Sequence, residues 1–331
     1  MTAANPLLAV TGLRKWFGGG SFARRKPPVR AVTDVSFEVG RGEVVGLVGE
    51  SGSGKTTVAQ CILRLYEPDA GEIRFDGIDI SHLGPKALQP YRRRLQMVFQ
   101  DPYSSLNPKL TAGASIAEPM EIHGIGASAA ERRALVGELL GQVGLRPEHA
   151  DRYPHEFSGG QRQRIGIARA LAVRPDLVVA DEPVSALDVS VQAQIIELLE
   201  RLRREFHLSM LMVAHDLAVV RYVSDRVIVM YLGTIVEIGR ADDLYARPLH
   251  PYTRALLSAA PRLHGDKRAA REVLRGELPS PINPPSGCVF RTRCPIAEQR
   301  CAEIVPPLRD LGEGRKLACV VVDGSLPGDT P

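Results

Sequence analysis

Long hydrophobic runs are missing from this chain of 331 residues. No apolar stretch approaches the roughly 18 residues that a membrane-spanning helix needs, so no membrane span is predicted. Residues 1–6 also lack the basic segment and the following apolar segment of a secretory signal. We therefore expect a chain that stays in the cytoplasm.

Cysteines and surplus charge are scarce as well. The net charge of +4 is too small to indicate a nucleic-acid partner. The five cysteines do not predict a disulfide framework, because thiols stay reduced in the cytoplasm. Hydrophobic residues at 44% and charged residues at 24% are ordinary for a globular chain, and the length suffices for one large domain plus a smaller one.

A glycine-rich loop at residues 49–57 is the most informative stretch that is present. It fits the pattern Gly-x4-Gly-Lys-Ser/Thr, with an apolar strand-like run before it and apolar helical spacing after it. In such loops, backbone N–H groups and a helix N-terminus face phosphate oxygens, whereas a chance glycine turn would lack these flanks. Lys55 is predicted to reach the β- and γ-phosphates, and Thr56 to hold Mg²⁺. The candidate ligands are Gly49, Ser51, Gly52, Ser53, Gly54, Lys55, Thr56 and Thr57.

Strand-like and helix-like segments alternate along the chain. This alternation predicts a mostly parallel sheet covered on both faces, with an antiparallel edge sheet formed by the first two strands. Functional groups then gather at the carboxyl ends of strands, where Gln100, Asp181, Glu182 and His215 are found. Strands are predicted at 7–17, 32–39, 43–48, 71–77, 95–100, 177–180 and 210–214, a hairpin at 226–239, and helices at 57–66, within 108–172 and at 191–206.

Two further motifs carry chemistry. Asp181, at a strand end, can bind Mg²⁺ through water, and the neighbouring Glu182 can orient and activate a water molecule. Residues 158–161, Ser-Gly-Gly-Gln, open a predicted helix and offer a hydroxyl and N–H groups as a second anion site. The alternative is an ordinary helix cap with a glycine turn. The position of this motif between the glycine loop and the carboxylate pair favours the anion site.

Together these motifs resemble the ATPases of ABC transporters, in particular those of oligopeptide and dipeptide importers. Residues 49–57 resemble the Walker A loop, Asp181 with Glu182 the Walker B motif, residues 158–161 the signature motif, and residues 185–188 the D-loop. The resemblance covers nearly the whole chain. Further stretches typical of the importer group lie at 98–108, 153–157, 180–190, 250–253 and 276–281.

The resemblance implies a fold and a domain organisation. It implies an α/β P-loop NTPase core with a mostly parallel sheet, an antiparallel edge sheet and an inserted helical subdomain, plus a small C-terminal extension that contains cysteines. We therefore expect an ATPase domain over residues 1–260, with the helical signature subdomain near 108–172. The extension is expected over residues 261–331.

The resemblance also implies roles for individual residues. Glu182 would be the general base, His215 would contact the γ-phosphate, and each ATP would lie between one subunit's Walker A loop and another subunit's signature motif. Phe17 is expected to stack on adenine, with Trp16 as the alternative. The implied Mg²⁺ ligands are Thr56, Gln100 and Asp181. The implied nucleotide contacts of the signature motif and D-loop are Ser158, Gly159, Gly160, Gln161 and Asp188.

The implied function is that of the ATP-hydrolysing subunit of a dipeptide or oligopeptide importer, peripheral at the cytoplasmic face of the inner membrane. The implied partners are a second, related ABC ATPase, two integral-membrane permeases and an extracytoplasmic substrate-binding protein, with no nucleic acid. Import of nickel or glutathione is an alternative within the subfamily, because the transported substrate never touches this subunit. A soluble ABC protein of DNA repair or translation is a second alternative, against which the importer-type tail argues.

Four of the five cysteines, Cys288, Cys294, Cys301 and Cys319, lie close together near the end of the sequence. Their spacings lack the Cys-x2-Cys of a zinc ribbon, and the proline-rich segment around them has little core of its own. A metal centre would supply what packing cannot, either Zn²⁺ or an iron–sulfur cluster, and the spacing does not decide between them. Unligated cysteines or a stress disulfide are the remaining alternatives. The resemblance to peptide-import ATPases implies a 4Fe–4S cluster. Cys61 is expected to be an inert core residue.

Overall fold

The computed structural model describes residues 5–18, 27–259 and 276–323. The strands are β1 (Leu8–Phe17), β2 (Val29–Val39), β3 (Val44–Val48), β4 (Ala70–Phe75), β5 (Ile78–Asp79), β6 (Leu95–Val98), β7 (Leu177–Asp181), β8 (Ser209–Ala214), β9 (Arg226–Tyr231), β10 (Thr234–Arg240), β11 (Arg309–Gly312) and β12 (Arg315–Leu317). The helices are α1 (Lys55–Ile62), α2 (Pro85–Arg94), α3 (Ala112–Ile122), α4 (Ala129–Gln142), α5 (Gly159–Leu171), α6 (Val189–Phe206), α7 (Leu217–Val223), α8 (Ala241–Ala246), α9 (Pro251–Ala259) and α10 (Arg300–Glu303).

The chain divides into two compact units. Unit 1 comprises Met1–Glu38, Val44–His82 and Val213–Pro331, and unit 2 comprises Val39–Glu43 and Leu83–Met212. The glycine loop and the four late cysteines therefore belong to unit 1. The helical stretch predicted at 108–172, with its Ser-Gly-Gly-Gln motif, belongs to unit 2.

Unit 1 contains two sets of strands. One set has the order β2-β1-β4-β5, in which β1 and β4 run antiparallel. The other has the order β11-β12-β10-β9-β3, in which β3 and β9 are parallel. Strand β3 consists of valine, leucine and glycine and is buried along its whole length, as a strand covered on both faces should be. It ends at Val48, so the glycine loop begins directly at a strand's carboxyl end.

Unit 2 combines a parallel strand pair with helices. Strands β6 and β7 are parallel, with Leu95 opposite Leu177. Helices α3, α4 and α5 contact one another within the predicted helical stretch. Helix α4 begins where the Ser128 hydroxyl accepts the N–H of Glu131, an N-cap that satisfies one free donor of the first turn. With the parallel pair of unit 1, this arrangement confirms the predicted α/β class.

Element ends differ from the sequence prediction in two places near the motifs. Helix α1 ends at Ile62 rather than near residue 66, because Arg64 adopts a left-handed backbone with φ of 54° that a helix cannot contain. Strand β6 ends at Val98, so Gln100 lies in the loop that follows and not at the last strand position. Of the helices in the described parts of the chain, none is both long and apolar enough to cross a membrane.

The C-terminal extension has more packed structure than its composition predicted. Phe290 is fully buried and contacts the rings of Tyr231 and Tyr252. Strand β12 pairs with β10, and Arg315 forms an ion pair with the fully buried Glu237 at 2.8 Å. The composition of the extension did not predict these contacts, because the residues that pack against the extension come from 231–252 and not from the extension itself.

Candidate functional site

The glycine loop is fixed by contacts with distant residues of unit 1. Gly54, the N-cap of α1, has φ of 99°, which favours glycine, and a Cβ atom there would overlap the carbonyl oxygen of Ala31. The N–H of Gly233 donates to the carbonyl of Ser53 at 2.9 Å. The loop conformation therefore depends on β2 and on the β9–β10 hairpin as well as on its own sequence.

Lys55 lies inside this loop and is only 4% exposed. Its ammonium donates to the carbonyl oxygens of Gly49 at 2.8 Å and Glu50 at 3.0 Å. A buried ammonium needs such partners, because desolvation is otherwise costly. The first turn of α1 carries no acidic side chain, and the positive end of the helix dipole points towards the loop. Thr56 and Thr57 in this turn are half-buried. This arrangement can receive a polyphosphate.

Two aromatic residues at the end of β1 are candidates for a nucleobase contact. Phe17 is half-buried and packs edge-on against Tyr66, with ring centroids 5.1 Å apart. Trp16 is more exposed and is covered on one face by the guanidinium of Arg30 at 5.2 Å. Both rings belong to unit 1, as does the exposed His215 that follows β8.

In unit 2 the structure brings Gln100 and Glu182 together. The side-chain amide of Gln100 donates to a carboxylate oxygen of Glu182 at 3.0 Å, although the residues are 82 positions apart. Asp181 is buried as the last residue of β7. Glu182 has φ of 44°, an uncommon left-handed backbone for a glutamate. Its carbonyl accepts both the N–H and the hydroxyl of Ser185, which hold the turn in place.

The Ser-Gly-Gly-Gln motif forms a capping box at the start of α5. The Ser158 hydroxyl accepts the Gln161 N–H at 3.3 Å, and the Gln161 side chain accepts the Ser158 N–H at 3.0 Å. A Cβ atom on Gly160 would lie 2.5 Å from Cγ1 of Val191 on α6, so only glycine fits at this close approach. Asp188, the N-cap residue of α6, is exposed and makes no side-chain capping bond.

Sequence reasoning missed two residues that contact the glycine loop. Tyr252 accepts the backbone N–H of Glu50 at 2.8 Å, and Arg293 forms a bidentate ion pair with the Glu50 side chain. Tyr252 lies in the stretch 250–253 that had been noted only as typical of the importer group. No local pattern links Glu50 to Arg293, because 243 positions separate them.

The four late cysteines share one electrostatic neighbourhood. The pKa of Cys294 is raised to about 11, mainly by burial and to a smaller extent by the neighbouring thiols. Burial also raises the pKa of Cys288. The sulfurs of Cys301 and Cys319 accept backbone N–H groups, at 3.5 Å and 3.4 Å. Within residues 5–18, 27–259 and 276–323, however, no three Cys, His, Asp or Glu side chains are arranged to hold a metal ion. Cys61 is fully buried, and burial raises its pKa to about 11, which fits the expected core role.

Comparison with family models gives two matches. Residues 32–185 match the ABC transporter family, and residues 236–301 match the family described as "Oligopeptide/dipeptide transporter, C-terminal region". The first range contains the glycine loop, the Ser-Gly-Gly-Gln motif and the carboxylate pair. These observations define an ATPase of the ABC class.

Full-length relatives and a solved structure agree with that class. A Brucella ovis protein named as a peptide import ATP-binding protein is 56% identical over 315 residues, covering 95% of this chain and 98% of the relative. The oligopeptide transport ATP-binding protein AppF of Bacillus subtilis is 52% identical over 326 residues, covering 96% and 99%. The chain belongs to the oligopeptide/dipeptide group of ABC-transporter ATP-binding proteins. The dimeric cassette MJ0796, in a post-hydrolysis state with ADP and Pi, is 33% identical with a TM-score of 0.64, covering 71% of this chain and 98% of that chain.

Proposed function

We propose that this chain is the ATP-hydrolysing subunit of an importer for dipeptides or oligopeptides. The observation that carries the proposal is the 56% identity to a peptide import ATP-binding protein over 95% of this chain. The likeness extends past the P-loop region into the C-terminal region of oligopeptide/dipeptide transporters. That extent supports a transporter over a soluble ABC protein of DNA repair or translation.

ATP is the substrate, and the glycine loop would hold its phosphates. N–H groups of the loop and of the first turn of α1 would point at phosphate oxygens. The ammonium of Lys55 would exchange its loop carbonyl partners for the β- and γ-phosphates. Phe17 is proposed to stack on adenine, because its packing against Tyr66 gives it a fixed face; Trp16 is the alternative. The loop residues proposed to bind are Gly49, Ser51, Gly52, Ser53, Gly54, Lys55, Thr56 and Thr57.

Hydrolysis is proposed to use the carboxylate pair and its neighbours. Thr56, Gln100 and Asp181 offer the oxygen atoms that Mg²⁺ prefers, and the bound ion would neutralise phosphate charge. Glu182 is proposed as the general base that takes a proton from the attacking water. The hydrogen bond from Gln100 orients the Glu182 carboxylate. His215 would contact the γ-phosphate.

A second ATPase subunit is proposed to complete each site. Ser158, Gly159, Gly160, Gln161 and Asp188 would then serve the nucleotide of the other subunit. The dimeric state of the similar cassette MJ0796 supports this proposal. We further propose that the partner is a related but distinct ATPase, and that the pair works with two permeases and an extracytoplasmic binding protein at the cytoplasmic face of the inner membrane. The ATPase domain would cover 1–260, with 108–172 as its helical subdomain and 261–331 as the extension.

A 4Fe–4S cluster on Cys288, Cys294, Cys301 and Cys319 is proposed as a structural element of the extension, with Zn²⁺ as the alternative. Support comes from the donor set: four thiols lie close together in the sequence, and the sulfurs of Cys301 and Cys319 accept backbone N–H groups. Such N–H groups favour the thiolate that ligation requires. Anaerobically purified protein should contain about four irons per chain with acid-labile sulfide. One zinc and no iron would assign the site to Zn²⁺, and no metal would reject both.

The proposed function is tested with Glu182→Gln in the complete transporter reconstituted in vesicles. Because the amide cannot accept the proton, hydrolysis and peptide uptake should fall about 10²-fold or more while ATP binding persists. Glu197→Gln, which removes the same charge from an exposed position of α6, is the matched control. Near-normal turnover of Glu182→Gln would contradict the assigned base. Uptake of nickel or glutathione in place of peptides would identify one of the alternative importers.

A further inference from the structure

Arg293 of the C-terminal extension pairs with Glu50 of the glycine loop. Nη1 of Arg293 lies 2.6 Å from Oε2 of Glu50, and Nη2 lies 3.1 Å from Oε1. The Arg293 side chain is 5% exposed and that of Glu50 is 28% exposed. This two-point geometry fixes the direction of the carboxylate as well as its charge. Hydrogen bonding to Glu50 raises the pKa of Arg293, so the guanidinium is charged at every relevant pH.

Glu50 is held from its backbone side as well. Its N–H donates to the hydroxyl of Tyr252 at 2.8 Å. The ring of Tyr252 is buried against Tyr231 at 4.7 Å and Phe290 at 5.4 Å between centroids. The extension therefore supports Glu50 twice, directly through Arg293 and indirectly through Phe290 behind Tyr252.

The position of Glu50 makes this support consequential for the nucleotide. Glu50 is the second residue of the loop, and its carbonyl oxygen accepts a hydrogen bond from the ammonium of Lys55 at 3.0 Å. A carboxylate beside a triphosphate repels it at short range unless a cation pairs with it. Displacement of Glu50 would also move the acceptor that positions Lys55.

We propose that Arg293 is a positioning residue of the ATP site, which neutralises Glu50 and fixes the start of the glycine loop so that the loop can accept phosphates. The proposal rests on the proposed ATPase function and adds to it a residue supplied by the extension. It assigns the extension an indirect part in nucleotide binding, through Glu50, whatever ligand the cysteines take.

The test measures the Kd of Mg-ATP for the purified full-length chain by fluorescence titration, together with thermal unfolding without nucleotide. Arg293→Gln should weaken binding about tenfold, the factor that corresponds to 1.4 kcal/mol. Arg293→Lys should recover part of the loss, because it restores the charge without the two-point geometry. Arg300→Gln, which breaks an exposed ion pair with Glu298 in the same extension, is the matched control and should bind ATP like the original chain.

The double variant Glu50→Gln with Arg293→Gln separates positioning from mere support of the fold. If the harm comes from an unpaired Glu50, the double variant should bind ATP more tightly than Arg293→Gln alone. ATP binding by Arg293→Gln equal to that of the original chain would overturn the proposal. Equal weakness of the single and double variants, with equal loss of thermal stability, would overturn it too. If the original chain itself fails to bind Mg-ATP, the proposed function falls instead, and this outcome is distinct from the other two.

Discussion

The glycine loop before α1 and the Ser-Gly-Gly-Gln turn before α5 are both helix N-termini suited to anions, yet different contacts hold them. Distant parts of unit 1 hold the glycine loop in its conformation, because Gly54 packs against the Ala31 carbonyl and Arg293 forms an ion pair with Glu50. The turn before α5 is closed by its own capping box, and its Ser158 is exposed.

The difference follows from what each element has to do. A loop that wraps around phosphates points its N–H groups inward and keeps few hydrogen bonds of its own, so neighbouring elements must fix its shape. A capped helix start is rigid without outside help, and its exposed serine is available to another molecule. The shape of the glycine loop therefore depends on several distant parts of unit 1. The Ser-Gly-Gly-Gln turn, in contrast, is a contact surface that its own residues hold in place.

The largest expected effect is that of Gly54→Ala, which attacks the tertiary support of the glycine loop. A Cβ atom would collide with the Ala31 backbone, and the left-handed φ alone costs about 1–2 kcal/mol. ATP binding should be lost in equilibrium titration of the isolated chain. Gly124→Ala is the control, since Gly124 also has a left-handed φ, of 66°, but nothing within 4 Å of its Cβ position. If both variants bind ATP alike, the glycine loop does not depend on that packing.

A smaller effect is expected from Gly160→Ala, which overpacks the contact between α5 and α6. The added methyl lies 2.5 Å from Cγ1 of Val191, and overpacking of this kind costs about 1–3 kcal/mol. Thermal unfolding should show the loss, while ATP binding by the isolated chain should persist. Val191→Ala on the same chain should restore much of the stability. A double variant no more stable than Gly160→Ala would refute the packing explanation.

The smallest effect is expected from Ser158→Ala, which removes half of the capping box. The loss of one N-cap hydrogen bond should lower stability by about 1 kcal/mol. Ser128→Ala removes the equivalent cap of α4 and should cost about the same. Only Ser158→Ala should also reduce ATP hydrolysis by the assembled transporter. Equal hydrolysis rates of the two variants would show that the serine acts only as a cap.

Local patterns predicted the elements that carry motifs. The buried runs of β3 and β7, the apolar face of α6 and the hairpin about Gly233 all follow from periodicity or from turn residues. The left-handed backbone of Glu182 was not predictable, because no glycine or asparagine marks that position. Gln100 was predicted to end a strand, but β6 ends at Val98 and Gln100 is the second residue of the following loop. From this loop its side chain bonds to Glu182.

Contacts between distant residues account for most of what the sequence did not indicate. Strand β12 has only three residues, Arg315–Leu317, and lacks the length from which alternation can be recognised. Arg293 and Glu50 are ordinary surface residue types in composition, and only the folded chain pairs them. Local sequence thus identifies the glycine loop as the proposed phosphate site, but it does not indicate which remote side chains hold the loop in shape.

The pairing of β12 with β10 has a consequence for protein handling. An unpaired strand edge exposes a row of N–H and C=O groups that invites association with other chains. In a chain shortened before β11, β9 would be the only strand that pairs with β10 in the described sheet. The apolar residues next to β10 would be uncovered, and the Glu237 carboxylate would lose its ion pair with Arg315. Shortened forms should therefore aggregate during expression. Glu313→Gly in the exposed turn between β11 and β12 should be tolerated, because its left-handed φ of 51° suits glycine and the edge stays covered.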